Sequence, residues 1–158
     1  GLTDKEQYIH RLGRTARAGM DGQGIIILSP FETVILRQLN DLPIEPKSEQ
    51  EVRNMCENPM RKQLEKTLDS VPRDKSLTLS AEQSYQAFIG YYNGNLKRIK
   101  MSKEALVRTA NEYANVLGLT EQPALFEKTV RKMGLVGVPG LATKKFVQQQ
   151  KPRGKKKQ

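Results

Sequence analysis

Ile25-Ile26-Ile27-Leu28-Ser29-Pro30 is the stretch on which the fold turns. Four apolar residues follow one another without a polar interruption. Lacking alternation, the run reads as a short strand buried on both faces, as parallel sheets contain. Ser29-Pro30 then opens a helix, with Ser29 as cap and Pro30 at the first position, carrying Val34, Ile35 and Leu39. One buried strand makes no sheet, and nothing else in the 158 residues reads as a strong strand. The expectation is a fragment that begins inside an α/β domain near its end and leaves it at about residue 41. A first residue other than Met, Gly1, agrees with it.

Upstream of the run, Thr3-Asp4-Lys5-Glu6 has the Thr-x-x-Glu form of a capping box, predicting a helix from residue 4 to about 12. Gly13, Gly19, Asp21-Gly22 and Gly24 then break the pattern. Downstream, residues 42–135 read as helical. Pro43 and Pro46 mark the way in, and Pro59 marks a break in the helix-rich stretch from Ser48 to Val71. Pro72 to Lys75 reads as a loop, and Ser80-Ala81-Glu82-Gln83 as a second capping box. Tyr85, Phe88, Ile89, Tyr92, Leu96 and Ile99 recur at helical spacing, with Asn93-Gly94-Asn95 as a weak step. Ser102 caps a helix that Gly118 ends, and Pro123 starts a last one closed by Gly134. Residues 136–158 read as a linker and a disordered basic tail, with seven basic and no acidic residues from Lys144 onward.

Composition narrows the function classes. Lys and Arg number 27 against 17 Asp and Glu, a net charge of +10, and the pI is about 9.8. An anionic partner is implied, with nucleic acid in front; the plainer reading is a soluble surface with a basic tail. Apolar residues make up 37%, which allows only a modest core. No apolar run is long enough to span a bilayer, so no membrane partner is expected. With one cysteine, Cys56, and one histidine, His10, neither a disulfide within the chain nor a zinc site of several thiolates or imidazoles is available, and no metal site is expected.

The chemistry lies in Tyr8-Ile9-His10-Arg11-Leu12-Gly13-Arg14-Thr15-Ala16-Arg17-Ala18-Gly19. Three arginines, one histidine and two glycines fall together at a helix end. Arginine is a permanently charged planar fork suited to phosphate, and the glycines are read as allowing a sharp turn into a cleft. The bottom-up reading is a phosphate-clamping cluster beside a parallel sheet.

This segment resembles the sixth motif of DEAD-box helicases, His-Arg-x-Gly-Arg-x-x-Arg, with His10, Arg11, Gly13, Arg14 and Arg17 at its fixed positions. Leu12 stands where Ile is common. The resemblance implies an α/β fragment, the end of the second of two RecA-like domains, followed by an all-α extension over 42–135. It implies ATP and structured RNA as substrates and ATP-driven local unwinding. Arg14 and Arg17 are then arginine fingers on the terminal phosphates. His10 links nucleotide state to RNA state, and Arg11 holds the motif through a carboxylate. The phosphate-binding loop and the Asp-Glu-Ala-Asp motif are missing from these residues. An N-terminal RecA-like domain of the same chain is therefore implied as a partner, and Mg2+ would sit mainly there.

A second resemblance is less specific. Tyr85-Gln86-Ala87-Phe88-Ile89-Gly90-Tyr91-Tyr92-Asn93-Gly94 and residues 128–141 are similar to C-terminal extensions of one DEAD-box group. That group includes fungal mitochondrial RNA chaperones that assist intron splicing, and plant relatives. It implies a mitochondrial location, with nucleus or cytoplasm as alternatives, and intron RNA as one candidate substrate. The stripe through Tyr85, Phe88, Ile89 and Tyr92 reads as core before base-stacking platform. Lys97, Arg98 and Lys100, with Lys103 and Arg108, are candidate phosphate contacts or a solvated basic face. Lys151, Arg153, Lys155, Lys156 and Lys157 are a candidate RNA tether with a steep salt dependence. The rival reading is an RNA-binding adaptor with no catalytic role.

Overall fold

The computed structural model describes residues 4–15, 24–55 and 59–145. The chain divides into two compact units, residues 1–66 with 95–102 and residues 67–94 with 103–158. These units cut across the stretches read from the sequence, because residues 95–102 group with the N-terminal part.

In the first unit, α1 (Lys5–Leu12) is capped by Asp4, whose carboxylate accepts the Gln7 N–H at 2.8 Å. Asp4 thus does the work assigned to Thr3, which lies outside the described residues. An ion pair joins Lys5 to Asp41. The expected strand does not form: residues 24–29 carry no regular structure, and Ile25 and Ile27 are 77% and 85% exposed. The reason is physical. A strand's N–H and C=O groups need a neighbouring strand, and none pairs with this run among the described residues.

The helix expected at Pro30 does begin there, but as 3₁₀ helix over Pro30–Gln38. Nine residues is long for that form. At its start the Ser29 N–H donates to the Glu32 carboxylate at 3.0 Å, and its inner face buries Ile35, with Leu39 buried just past its end. In α2 (Glu49–Met55) the Glu51 N–H donates to Ser48 Oγ at 3.2 Å and the Ser48 N–H returns to the Glu51 carboxylate at 2.7 Å. Helix α3 (Pro59–Ser70) is described next, and the break expected at Pro59 falls beside residues 56–58, which lie outside the described residues. Cys56 lies outside the described residues. The short α5 (Leu96–Ile99) lies against the 3₁₀ segment and buries Ile99, which is why this piece belongs to the first unit.

The second unit is built on α4 (Lys75–Asn93) and α6 (Lys103–Val116), packed face to face. Val71–Arg73 forms a 3₁₀ turn, and Asp74 caps α4 by accepting from the N–H groups of Ser76 at 2.8 Å and Leu77 at 3.0 Å. The loop expected at Pro72–Lys75 is therefore a helix start, and the Ser80-x-x-Gln83 signature lies inside α4. Tyr85, Ile89, Ala110, Ala114 and Leu135 are fully buried, in one cluster with Val71, Ala81, Leu119, Leu125 and Val130. The alanines keep the helix faces slim enough to approach, while Tyr85 and Ile89 supply apolar area. Gly94 ends α4, so the weak Asn93-Gly94-Asn95 step separates two helices rather than bending one. Gly118 sits at φ +82, and a Cβ there would lie 2.4 Å from the Leu68 carbonyl oxygen. Only glycine meets both demands.

Two short strands appear that the sequence did not announce. β1 (Leu125–Phe126) pairs in parallel with β2 (Thr143–Lys144), Leu125 opposite Thr143. The helix expected from Pro123 begins only after β1, as α7 (Glu127–Lys132). Residues 136–145, read as linker, are instead folded on the core: Val138 and Leu141 pack against it, and β2 closes the small sheet.

Candidate functional site

The last turn of α1 carries His10 and Arg11. Beyond it the Gly13 N–H donates to the Ile9 carbonyl at 2.8 Å and the Thr15 N–H to the Leu12 carbonyl at 3.0 Å. The Thr15 hydroxyl also donates to Leu12 O. The end of the helix is thus closed by its own backbone, and positive side chains sit where the helix dipole favours them. His10, Arg11, Gly13 and Arg14 are all exposed and within one turn of one another. No ion pair to Arg11 or Arg14 occurs among the described residues. Two forks and an imidazole are therefore presented to solvent together, an arrangement that can receive an anion. Gly13 has φ −63, an ordinary helical value, so the turn does not draw on glycine's freedom as the sequence reading assumed. Arg17 and Gly19 lie outside the described residues.

The same unit carries the second basic group. Lys97 and Arg98 lie in α5, and Lys100 caps it in the left-handed region at φ 52. The Met101 N–H donates to the Leu96 carbonyl at 3.1 Å, which locks that cap. Lys97 and Lys100 are exposed, and Arg98 is half-buried. Of the other two candidates, Lys103 donates to the Gly134 carbonyl at 2.8 Å and so serves the fold, while Arg108 is exposed. Lys151, Arg153, Lys155, Lys156 and Lys157 lie outside the described residues.

The aromatic stripe goes to the core. Tyr85 is fully buried and its hydroxyl donates to Asn111 Oδ1 at 2.9 Å; burial holds its pKa above the ordinary tyrosine value. Phe88 stacks on Tyr113 with ring centroids 4.7 Å apart and lies 4.5 Å from Tyr92. Ser84 Oγ and the Tyr113 hydroxyl are 2.7 Å apart. With Tyr85 and Ile89 fully buried, Tyr92 buried and Phe88 in ring contact with Tyr113 and Tyr92, the stripe is internal structure rather than an open platform.

Asp41, held below its usual range first by the hydrogen bond from Lys5, pairs with the first residue of α1. Among the described residues no group of His, Cys, Asp and Glu gathers where it could hold a metal ion, and no helix is long and apolar enough to cross a membrane. An open cleft of about 380 Å³ in the second unit is lined by Glu127 and Arg131 and by apolar Val130, Leu135, Val138 and Leu141. Sequence reasoning missed Asn111, which joins Tyr85 to the Gly140 carbonyl; its place beside the buried positions Val107, Ala110 and Ala114 of α6 was the available signal.

The chain is 44% identical over 143 residues to DEAD-box ATP-dependent RNA helicase 31 of Oryza sativa subsp. japonica, covering 90% of this chain and 24% of that protein. It is 36% identical to probable DEAD-box ATP-dependent RNA helicase 48 of Arabidopsis thaliana, covering 90% of this chain and 17% of that one. A mitochondrial relative, ATP-dependent RNA helicase MSS116 of Phaeosphaeria nodorum, is 38% identical over 136 residues, 86% of this chain and 24% of that protein. The chain thus spans about a quarter or less of the length of these relatives. No family model matches it, and no solved structure does.

Proposed function

We propose, for a chain related to the DEAD-box ATP-dependent RNA helicases along some nine-tenths of its length, that it is the C-terminal part of an ATP-dependent helicase that locally unwinds or remodels structured RNA. The observation that carries this reading is the His10-Arg11-Leu12-Gly13-Arg14 cluster, exposed at the end of α1 in a sequence so related. Residues 1–41 are then the end of the second RecA-like domain, residues 42–135 a helical extension, and the basic residues at the end of the chain an RNA tether. The exposed Ile25 and Ile27 support it, because a strand of such a sheet, taken without its neighbours, leaves these side chains in water.

In this reading Arg14 and Arg17 reach the terminal phosphates of ATP bound between two RecA-like domains. They offset charge on the transferring phosphoryl group, an effect worth about 10³–10⁵ in rate. His10 transmits the closure to the RNA side, and Arg11 holds the motif through a carboxylate. Lys97, Arg98 and Lys100 contact RNA phosphates. Among the described residues no carboxylate cluster gathers for Mg2+; the N-terminal RecA-like domain would hold it. The fungal relative's name supports a mitochondrial compartment, and the resemblance of the extension supports intron RNA as the substrate.

The test is RNA-stimulated ATPase in the full-length parent. Arg14→Ala and Arg17→Ala should each lower turnover by at least a hundredfold while RNA affinity stays within a few-fold. Wild-type turnover in both variants overturns the finger assignment. The adaptor reading gains if the natural product proves to be near 18 kDa, too small for two RecA-like domains.

A further inference from the structure

The cleft beside α7, of about 380 Å³, has no part in the reading of the arginine motif. Its volume falls in the range of about 300–1,000 Å³ usual for small-ligand sites. Val136, Val138 and Leu141 give it aliphatic walls, and Glu127, Arg131 and Thr143 give it polar ones. Val136 is 68% exposed, so part of the apolar wall stands in water. The wall is already fastened. Asn93 Nδ2 donates to the Met133 carbonyl at 3.1 Å, Lys103 Nζ to the Gly134 carbonyl at 2.8 Å, and Asn111 Nδ2 to the Gly140 carbonyl at 2.9 Å. Binding to such a preformed wall costs little ordering. Glu127 and Arg131 stand four residues apart on α7, the spacing at which opposite charges pair on a helix. No ion pair joins them, which leaves a carboxylate and a guanidinium for a ligand.

Charge decides which ligand suits the cleft. From Glu127 to Lys145, five exposed cationic residues (Lys128, Arg131, Lys132, Lys144 and Lys145) stand against Glu127 alone. Lys144, next to the lining Thr143, keeps its ammonium 5.2 Å from the Phe126 ring centroid. This excess favours a polyanion over a neutral or basic peptide. The walls suit a flat ring, Glu127 suits N–H donors, and Arg131 with the neighbouring lysines suits phosphate. An unpaired nucleotide combines all three. Among the bases, guanine offers two adjacent N–H donors on its Watson–Crick edge, which the two oxygens of one carboxylate can accept together. We propose that this cleft holds a single unpaired guanine base of an RNA strand, with Glu127 accepting from the base and Arg131 donating to a phosphate. The second unit then reads base identity as well as phosphate. The inference rests on the RNA reading above and adds to it a site and a base preference.

The test uses the whole 158-residue chain and short ribose-phosphate strands of abasic units that carry one base at the centre, read by fluorescence anisotropy. Every probe then presents the same phosphates. The guanine probe should bind about tenfold more tightly than the wholly abasic strand, and more tightly than the uracil probe. Glu127→Gln should bring the guanine and uracil probes within about twofold of each other, because an amide keeps only one acceptor. Arg131→Gln should weaken all probes alike and flatten the salt slope by about 0.7, the share of one phosphate contact on a single strand. Both residues are exposed, and unchanged melting by circular dichroism shows that the variants remain folded. Methyl resonances of Val136, Val138 and Leu141 should shift with the guanine probe and stay in place with the abasic one. Equal affinity for guanine and abasic strands overturns the base site. A guanine preference that survives Glu127→Gln overturns the recognition assigned to its carboxylate. Binding without methyl shifts at the cleft overturns its use by RNA and makes an apolar peptide the better occupant. If neither these strands nor a structured RNA binds, the RNA reading itself fails, a result distinct from equal binding of all probes.

Discussion

Residues 25–28 and residues 85–92 both carry apolar side chains that the sequence marks for burial, and they end in opposite states. Ile25 and Ile27 stand in water, whereas Tyr85 and Ile89 are fully buried. The difference lies in where each finds its backbone partners. A helix satisfies its own N–H and C=O groups, so α4 needs only another apolar face, which α6 provides. A strand finds half of its structure in a neighbour, and residues 25–28 have none among those described. Apolar character alone therefore does not fix burial; self-sufficiency of the backbone decides it.

The comparison can be broken by substitution. Ile89→Ala should destabilise the second unit by about 2–5 kcal/mol, the cost of lost apolar transfer plus a cavity, read as a lower urea midpoint by far-ultraviolet circular dichroism. Gly118→Ala comes next. It places a side chain at φ +82 against the Leu68 carbonyl, and a loss above roughly 2 kcal/mol is expected. Asp74→Ala removes the acceptor at the start of α4 and should cost about 1 kcal/mol. Ile25→Ala and Ile27→Ala close the series, each within roughly 0.5 kcal/mol in the isolated chain, since no buried contact is lost. A loss at Ile25 matching that at Ile89 would erase the contrast.

Much of the second unit was legible. Helical spacing marked Tyr85, Phe88, Ile89 and Tyr92 as core, and Gly118 marked the end of α6. The cap of α4 was misplaced because Ser80-x-x-Gln83 satisfies a local signature that the Asp74 carboxylate, accepting two amides upstream, overrides. The folded path of residues 134–145 was illegible for a different reason. Leu135, Val138 and Leu141 sit singly between glycines and a proline with no period, and their burial depends on long-range bonds from Asn93, Lys103 and Asn111. The strand was read correctly as apolar and wrongly as buried, because a sequence run does not carry its neighbour with it. Of the candidate site, the order His10, Arg11, Gly13, Arg14 was readable from spacing, and the structure adds that these residues are exposed at one helix end.

The most direct test of this account is amide hydrogen exchange at residues 25–28, measured both in the 158-residue chain and in the full-length helicase proposed above, with residues 85–92 as internal reference. The account predicts fast exchange at 25–28 in the short chain and protection by at least a hundredfold in the parent, where a sheet would complete the strand, while 85–92 stay protected in both. Equally fast exchange at 25–28 in the two proteins would contradict it, because the run would then be no strand of a larger domain.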